Sequence, residues 1–278
     1  MPPHDTMITA MRRWPPYSRY AEVYDRIGQR SFGESIAEAT LAWLAHHGHH
    51  PRRVADLACG TGAATLIFAA TGAEVIGVDQ SPEMLARARE VAESTGLRVT
   101  WLQQDVRELR LPAHVDLVTC FFDSMNYLVE DDDLPTVFAR VHDALAPGGM
   151  FVFDLNTRRR FAEGWANTCI IAADRDDLFG IYRSWFDPET DLSPLHLTFF
   201  VRRDDLPGGP LWERFDEEHI ERAYALADVT AWLCAAGFDV VDIRAFCDGA
   251  GTLGDAGSEE SDRVVFFARK PLALHTST

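Results

Sequence analysis

The chain has 278 residues, of which 47% are hydrophobic and 25% are charged, enough for one large domain or one domain with an insertion. Its formal net charge of −17 disfavours a nucleic-acid partner, because an acidic surface repels the phosphate backbone. No apolar run approaches the ~20 residues of a membrane-spanning helix. The N-terminus lacks a secretory signal and the 5 cysteines form no CxxC pair, so a cytoplasmic protein with free thiols is expected.

The N-terminal region is predicted to be helical after a short tail. Residues 1–16 are polar and proline-rich and are expected to be a mobile tail. Tyr20 and Tyr24, spaced as i and i+4, predict a helix over 18–27. An amphipathic pattern predicts a second helix over 31–46.

Strands and helices then alternate along the chain. Strands are predicted over 53–58, 74–78, 99–103, 115–120 and 150–155, and helices over 63–71, 81–95 and 133–145. The helix over 81–95 has a clear start, since Ser81 is a good N-cap and Pro82 suits the first helical position. Apolar strands that alternate with helices indicate an α/β fold with a parallel sheet covered on both faces.

The alternation breaks after the fifth predicted strand. Alternating segments at 179–186, 195–203 and 212–223 predict a β-rich insertion over 158–222. A helix over 228–236 and strands over 238–245 and 263–269 follow, the strands joined by an acidic, glycine-rich loop over 248–262. We therefore expect a domain formed by 17–157 and 223–270, an insertion of 158–222, and tails at 1–16 and 271–278.

The segment from Asp56 to Ala63 lies between the first strand and the next helix and contains two glycines, Gly60 and Gly62. Glycine lets a backbone turn sharply and approach a ligand without a Cβ in the way, and a helix N-terminus offers free N–H groups. Two cofactor classes use this geometry. A dinucleotide site requires a third glycine where this chain has Thr65, so a nicotinamide cofactor is the less favoured alternative.

The sequence DLACGTG at 56–62 resembles motif I of the class I S-adenosylmethionine (SAM)-dependent methyltransferases. Three further segments resemble motifs of that family at the expected intervals: VDQSPEML at 78–85, QDV at 104–106 and APGG at 146–149. The resemblance covers 54–157 strongly and 17–270 loosely. It implies a Rossmann-like, mostly parallel sheet of seven strands whose last strand is antiparallel, with helices on both faces and the β-rich insertion after strand five.

The resemblance also implies roles for individual residues. Asp79 would accept the ribose hydroxyls of SAM, Asp105 would accept the adenine amino group, and the adenine would lie between Met84 and Val106. The expected cofactor-binding residues are Tyr20, Asp56, Ala58, Gly60, Gly62, Asp79, Gln80, Met84, Asp105, Val106, Phe121 and Phe122. S-adenosylhomocysteine would be the product, and no metal is expected.

The segment YAEVYD at 20–25 is similar to one in sugar N-methyltransferases and glycine-type methyltransferases that folds over the cofactor. A hydroxyl of Tyr20 or Tyr24 could then bind the methionine carboxylate. The alternative is that both tyrosines pack into the core.

The methyl acceptor is expected between the ends of strands four and five, the usual crevice of an open α/β sheet. Phe121 and Phe122 would line the cofactor near its sulfonium, or pack into the core. Asn126, Tyr127, Asp154, Asn156 and Thr157 are expected to project toward the acceptor. Candidates for a catalytic base are Tyr127, His219 and Asp154; for His219 we favour the alternative of a hydrogen-bonded structural histidine.

These patterns predict an enzyme that moves a methyl group from SAM to nitrogen or oxygen of a small polar metabolite. The insertion would form part of the acceptor pocket or the interface of a homodimer. The alternatives are a SAM-binding protein without turnover and a nicotinamide-dependent enzyme. The histidines of 46–50 and the acidic run at 130–133 lack the ligand spacing of a metal site.

Overall fold

The computed structural model describes residues 14–204 and 209–272. The helices are α1 (Arg30–His46), α2 (Ala63–Ala70), α3 (Pro82–Thr95), α4 (Asp133–Ala144) and α5 (Leu226–Ala235). The strands are β1 (Arg53–Leu57), β2 (Glu74–Asp79), β3 (Thr100–Gln103), β4 (Val115–Cys120), β5 (Leu145–Asn156), β6 (Thr168–Arg175), β7 (Leu178–Ser184), β8 (Leu192–Arg203), β9 (Leu211–Arg222), β10 (Asp239–Cys247), β11 (Thr252–Ala256) and β12 (Arg263–Arg269). Short 3-10 helices cover Tyr20–Glu22, Asp25–Ile27, Val106–Glu108 and Ser124–Tyr127, and a π-helical turn covers Arg160–Trp165.

The main sheet has eight strands in the order β11-β10-β12-β5-β4-β1-β2-β3. The run from β3 through β2, β1 and β4 to β5 is parallel, and β12 lies antiparallel to both β5 and β10. The predicted mostly parallel sheet with an antiparallel last strand is confirmed. Its parallel strands all end at one edge, so the loops after β1, β2, β3, β4 and β5 meet there.

Both faces of this sheet are buried, as its nearly continuous apolar strands require. Leu57, Val78 and Phe153 pack with α4 and α5 on one face. Val54, Val152 and Phe267 pack with α1 and α2 on the other. Ser81 caps α3 as predicted, because its Oγ accepts a hydrogen bond from Met84 N at 3.1 Å.

A second sheet, antiparallel, has the order β6-β7-β8-β9 and lies within 158–222, where the β-rich insertion was predicted. The odd-numbered residues Phe215, Glu217, His219 and Glu221 of β9 are buried. Phe215 packs with Tyr20 and other apolar residues of the N-terminal segment. Three polar side chains of β9 are therefore enclosed between this sheet and the rest of the protein.

The N-terminal segment differs from the sequence prediction, because 18–27 forms two 3-10 helices and not one α-helix. Its backbone N–H groups at Tyr17, Arg19 and Tyr20 donate to the carboxylate of Glu217 at 2.6–2.8 Å. This anchoring holds the segment against β9, and tertiary contact overrides the local helical pattern.

Two strands were missing from the sequence prediction. β6 exposes most of its side chains and shows no alternation, and β11 lies in the glycine-rich segment that we predicted to be a loop. The expected tails fall mainly on 1–13 and 273–278, outside the described residues. Within the described part of the chain, no helix is long and apolar enough to cross a membrane.

Candidate active site

The loop after β1 has a backbone that bends toward an open space. Ala58, Gly60 and Gly62 have φ values of 49°, 54° and 80°, in the left-handed region that favours glycine. A Cβ at Gly60 would meet no atom within 4 Å, whereas one at Gly62 would lie 2.8 Å from Cη2 of Trp101. Gly60 therefore faces the cavity, and Gly62 is required for packing against β3.

Two aspartates at the ends of β1 and β2 organise this loop. Asp56 accepts hydrogen bonds from the hydroxyls of Thr65 at 2.5 Å and Thr119 at 2.8 Å, and burial raises its pKa to about 6. Asp79 accepts the N–H of Gly60 and that of Ser81, each at 2.8 Å. Burial raises the pKa of Asp79, and these backbone N–H donors oppose the rise.

Asp105 caps the 3-10 helix that follows β3. It accepts hydrogen bonds from the backbone and the guanidinium of Arg107, and this partner lowers its pKa. The guanidinium of Arg107 donates to both carboxylate oxygens of Asp105. The orientation of this carboxylate is therefore fixed by a partner that the sequence motif does not indicate.

A cavity of about 350 Å³ lies at this edge of the sheet. It is lined by most of the residues predicted to bind the cofactor, together with Tyr127: Asp56, Ala58, Gly60, Asp79, Gln80, Met84, Asp105, Val106, Phe121 and Phe122. Carboxylates, apolar side chains and an open glycine backbone thus line one cavity, which suits an adenosine that carries a charged side chain. The chemistry of the lining residues fits SAM.

Four predicted site residues lie just behind the cavity wall. Gly62 packs on Trp101, and the Tyr20 hydroxyl bonds that of Tyr182. His219 and Asp154 are both buried, with 1% and 0% of their surface exposed.

A chain of hydrogen bonds connects the cavity to β9. Tyr17 Oη, at the cavity wall, donates to Tyr127 Oη at 2.9 Å, and Tyr127 Oη lies 2.9 Å from Nδ1 of His219. His219 Nε2 lies 3.1 Å from Glu217 Oε2. A carboxylate only accepts, so Nε2–H donates to Glu217 and Nδ1 accepts a hydrogen bond from the hydroxyl of Tyr127. The chain therefore runs in one direction, from the cavity to a histidine held by a carboxylate.

Asp154, at the end of β5, has both carboxylate oxygens occupied. It accepts the N–H of Phe122 at 2.6 Å and that of Asp123 at 3.0 Å, and it forms an ion pair with the buried Arg263. Burial raises its pKa to about 6, against the effect of Arg263. These bonds hold Phe122 and Asp123 at φ values of 62° and 52°. Asp154 positions the loop after β4 and does not reach the cavity.

Comparisons with known proteins agree with this geometry. Residues 54–149 match a family model described as a methyltransferase domain. A protein of Geobacillus sp. (strain WCH70) named as a methyltransferase is 32% identical over 257 residues, which cover 91% of this chain and 99% of that protein. The chain belongs to the class I SAM-dependent methyltransferases.

Other relatives of this methyltransferase have more specific names. The crystal structure of a SAM-dependent methyltransferase from Clostridium acetobutylicum has a TM-score of 0.78 at 28% identity, covering 91% of this chain and 98% of that one. A Streptomyces venezuelae dTDP-3-amino-3,4,6-trideoxy-α-D-glucopyranose N,N-dimethyltransferase is 26% identical over 197 residues, covering 70% of this chain and 79% of that protein.

SAM, the cofactor of this methyltransferase, supplies an activated methyl group on a sulfonium when bound. Several residues around the site carry no motif of their own, namely Tyr17, Asp123, Glu217, Glu221 and Arg263. Asp123 directly follows the predicted Phe122, and the other four enter the site only through tertiary contacts. The spacing of 217, 219 and 221 on one face of a strand was the only sequence signal for three of the polar groups.

Proposed function

We propose that this methyltransferase transfers the methyl group to nitrogen or oxygen of a small polar metabolite. The observation that carries the proposal is the chain from Tyr17 through Tyr127 to His219, because such an acceptor must lose a proton when its nitrogen or oxygen is methylated. An acceptor that has no proton to lose would not need it.

The residues of this hydrogen-bond chain pass the proton one after another. As the bond from the acceptor to the methyl carbon forms and the bond from that carbon to sulfur breaks, the acceptor proton passes to the tyrosine pair. Tyr127 passes its own proton to Nδ1 of His219, and Glu217 stabilises the imidazolium. Burial raises the pKa of Tyr127 well above its usual value, so its hydroxyl relays a proton and does not rest as a phenolate.

Other residues position the reactants and exclude water. The segment at 17–29 covers the cavity with Tyr17, Tyr24 and Gln29, and Glu217 holds this segment through its backbone. We assign Asp154 a positioning role, through the loop that carries Phe122. The net charge of −17 supports a small acceptor over a nucleic acid, and the amino-sugar dimethyltransferase relative supports a sugar-like one.

A methyl-transfer assay tests the proposal. Wild-type protein is incubated with methyl-labelled SAM and a panel of amino sugars, neutral sugars and aliphatic amines, and products are separated from SAM. We expect label in at least one compound. Tyr127→Phe and His219→Gln should each lower kcat by about 10²- to 10⁴-fold, the range of general acid–base catalysis. The dissociation constant for S-adenosylhomocysteine should change less than about twofold, since neither residue belongs to the expected adenosine site.

The matched control is Tyr224→Phe. Its hydroxyl is also buried, but it donates to the carbonyl of Leu128 outside the hydrogen-bond chain. It should retain wild-type kcat. A wild-type kcat in Tyr127→Phe, or no label in any compound, would refute the proposal.

A further inference from the structure

Behind the cavity wall lies a buried polar cluster that the hydrogen-bond chain does not use. Asp123, Asn156 and Glu221 are 6%, 1% and 2% exposed. They come from the loop after β4, the end of β5 and the end of β9. Arg263 from β12 closes one side of the cluster, donating to Asp123 at 3.1 Å. We call Asp123, Asn156 and Glu221 the acid pocket.

The acid pocket carries an excess of negative charge. Asp123, Asp154 and Glu221 are three buried carboxyls facing the one buried guanidinium of Arg263. Asp248, the remaining partner of Arg263, is 30% exposed and adds a fourth carboxyl at the edge. Burial raises the pKa of Glu221 well above its usual value, and the charge of Asp123 raises it further while Arg263 opposes the rise. Buried charge must be balanced, so the pocket holds either an added proton or an added cation.

The hydrogen bonds of the acid pocket are also incomplete. Among the described residues, Oε2 of Glu221 and both polar atoms of the Asn156 side chain form no hydrogen bond of good geometry, although Asp123 and Asn156 lie close enough to Glu221 to shift its pKa in opposite directions. The backbone N–H and carbonyl of Asn156 both bond to the side chain of Asn126, which holds the backbone in place at the end of β5. Buried polar atoms are nearly always paired, and two of these three are acceptors that an N–H donor would satisfy.

The acid pocket adjoins the cavity. Phe122, at the cavity wall, directly precedes Asp123. Tyr17, Tyr24 and Tyr127 also line the cavity, and the charge of Asp123 acts on all three hydroxyls. Aromatic rings beside a buried carboxylate are a suitable surface for an organic cation. A hard metal ion would need more oxygen ligands, and the described residues contain no group of three or more side chains arranged to hold one.

We propose that the acid pocket binds the protonated amine of an amine-bearing acceptor. The ammonium N–H groups donate to Glu221 Oε2 and Asn156 Oδ1, and its positive charge takes the place of the proton that balances the carboxylate of Glu221. In the absence of the amine, Glu221 holds a proton, and binding of R–NH₃⁺ beside it releases that proton to solvent. This inference rests on the proposed small-molecule acceptor and narrows it to primary and secondary amines. Before its nitrogen attacks the methyl carbon, the bound ammonium passes one N–H proton through Tyr17 and Tyr127 to His219, and the methylated amine leaves with its remaining N–H protons.

Calorimetry with simple amines tests the acid pocket. Methylammonium, 2-aminoethanol and D-glucosamine are titrated into protein saturated with S-adenosylhomocysteine, alongside tetramethylammonium, ethylene glycol and D-glucose. At least one primary amine should bind, while the neutral compounds and the quaternary ion, which lacks N–H donors, should not. Repeating the titration in buffers of different ionisation enthalpy should show release of about one proton near pH 7.

Two variants separate binding from structure. Glu221→Gln and Asn156→Leu should each weaken amine binding by at least about tenfold, with S-adenosylhomocysteine affinity unchanged as the check on folding. In the absence of amine, Asn156→Leu should unfold at the same or a higher temperature than wild type, because it removes two unpaired buried atoms. Glu90→Gln, on the exposed face of α3 and ion-paired with Arg87, is the matched control.

The inference is overturned if no amine binds, or if amines bind both variants as tightly as wild type. Its failure is distinct from failure of the proposed function. If the methyl label reaches neutral sugars and Glu221→Gln leaves that activity intact, only the acid pocket is wrong. If an amine binds through Glu221 and no compound is methylated, only the methyl-transfer proposal is wrong.

Discussion

The two halves of the cavity are stabilised by different contacts. The half expected to bind SAM, which we call the donor half, consists of the loops after β1, β2 and β3, where carboxylates accept backbone N–H groups and hydroxyls from nearby elements. Asp79, for example, is held by Gly60 and Ser81. The half proposed to bind the acceptor, which we call the acceptor half, is backed by the ends of β4, β5 and β9 and the start of β12, where side chains from distant segments meet. There Arg263 pairs with two buried aspartates, and Glu221 and Asn156 keep unpaired atoms.

This difference shows which half is complete without its ligand. The donor half satisfies Asp56 and Asp79 with neutral donors, so its shape is stable before SAM binds. The acceptor half balances charge against charge in a dry interior and leaves an excess of acid. Unpaired groups of that kind persist where a ligand completes them, and they lower the stability of the folded protein.

The largest effect is expected at Asp154 in the acceptor half. Asp154→Asn weakens the ion pair with Arg263. It also places an amide N–H donor opposite the N–H groups of Phe122, Asp123 and Arg263, which are all donors themselves. Removing one partner of a buried ion pair typically costs about 3–5 kcal/mol of unfolding free energy, and we expect a loss in that range from urea denaturation. Asp262→Asn, at an exposed ion pair with Arg159, should cost less than about 0.5 kcal/mol. Similar losses of unfolding free energy in the two variants would contradict the view that buried ion pairs stabilise the acceptor half.

The next effect is expected at Asp79 in the donor half. Asp79→Ala removes the expected acceptor of the ribose hydroxyls and releases the N–H groups of Gly60 and Ser81. Each lost hydrogen bond to a charged group is worth about 1.5–3 kcal/mol, so affinity for S-adenosylhomocysteine should fall by about 100-fold in calorimetry. Glu74→Ala, at the exposed start of the same strand, should leave this affinity unchanged. Wild-type affinity in Asp79→Ala would remove Asp79 from the cofactor site.

The same division explains what the sequence could predict. The donor half depends on short segments in which a strand end, a glycine and a helix cap follow one another, as in Ser81 and Met84. Such local geometry is encoded in local spacing, so motif matching singled out the loop after β1, Asp79 and Asp105, which line one cavity in the structure. The main sheet followed from apolar periodicity for the same reason.

The acceptor half could not be predicted in this way. Its contacts join residues far apart in sequence, such as Tyr17 with Tyr127 and Arg263 with Asp123, which are 110 and 140 positions apart. No local pattern records such a pair. Asp154 is an example, because the sequence indicates a carboxylate at a strand end, a candidate catalytic base, but does not indicate its partner Arg263. Exposed edge strands such as β6 and β11 lack an alternating pattern and were missed for a related reason.

The smallest effect concerns Asp56, the donor-half counterpart of Asp154. Burial raises the pKa of Asp56 to about 6, above the ordinary value of 3.8 that it has in the unfolded chain. The folded protein therefore binds more protons than the unfolded chain between these values. The added stability is fully present below about pH 4 and is lost as pH rises through 6. Relative to Asp56→Asn, wild type should lose about 1 kcal/mol of unfolding free energy between pH 5 and 6.5.

Urea denaturation at several pH values measures this difference. Asp56→Asn keeps an oxygen for Thr65 or Thr119 and removes the titrating group, so its own stability should vary less over this range. Thr65→Val is a suitable control, since it removes one hydroxyl partner of Asp56 and keeps the carboxyl. The pH dependence of its stability should be at least as steep as that of wild type, because the loss of a donor raises the pKa of Asp56 further. Parallel curves for wild type and Asp56→Asn would show that Asp56 is not the buried titrating group of the donor half. A steeper wild-type curve would support Asp56 as a buried acid of the donor half that is held by neutral hydroxyls, in contrast to Asp154, which pairs with Arg263.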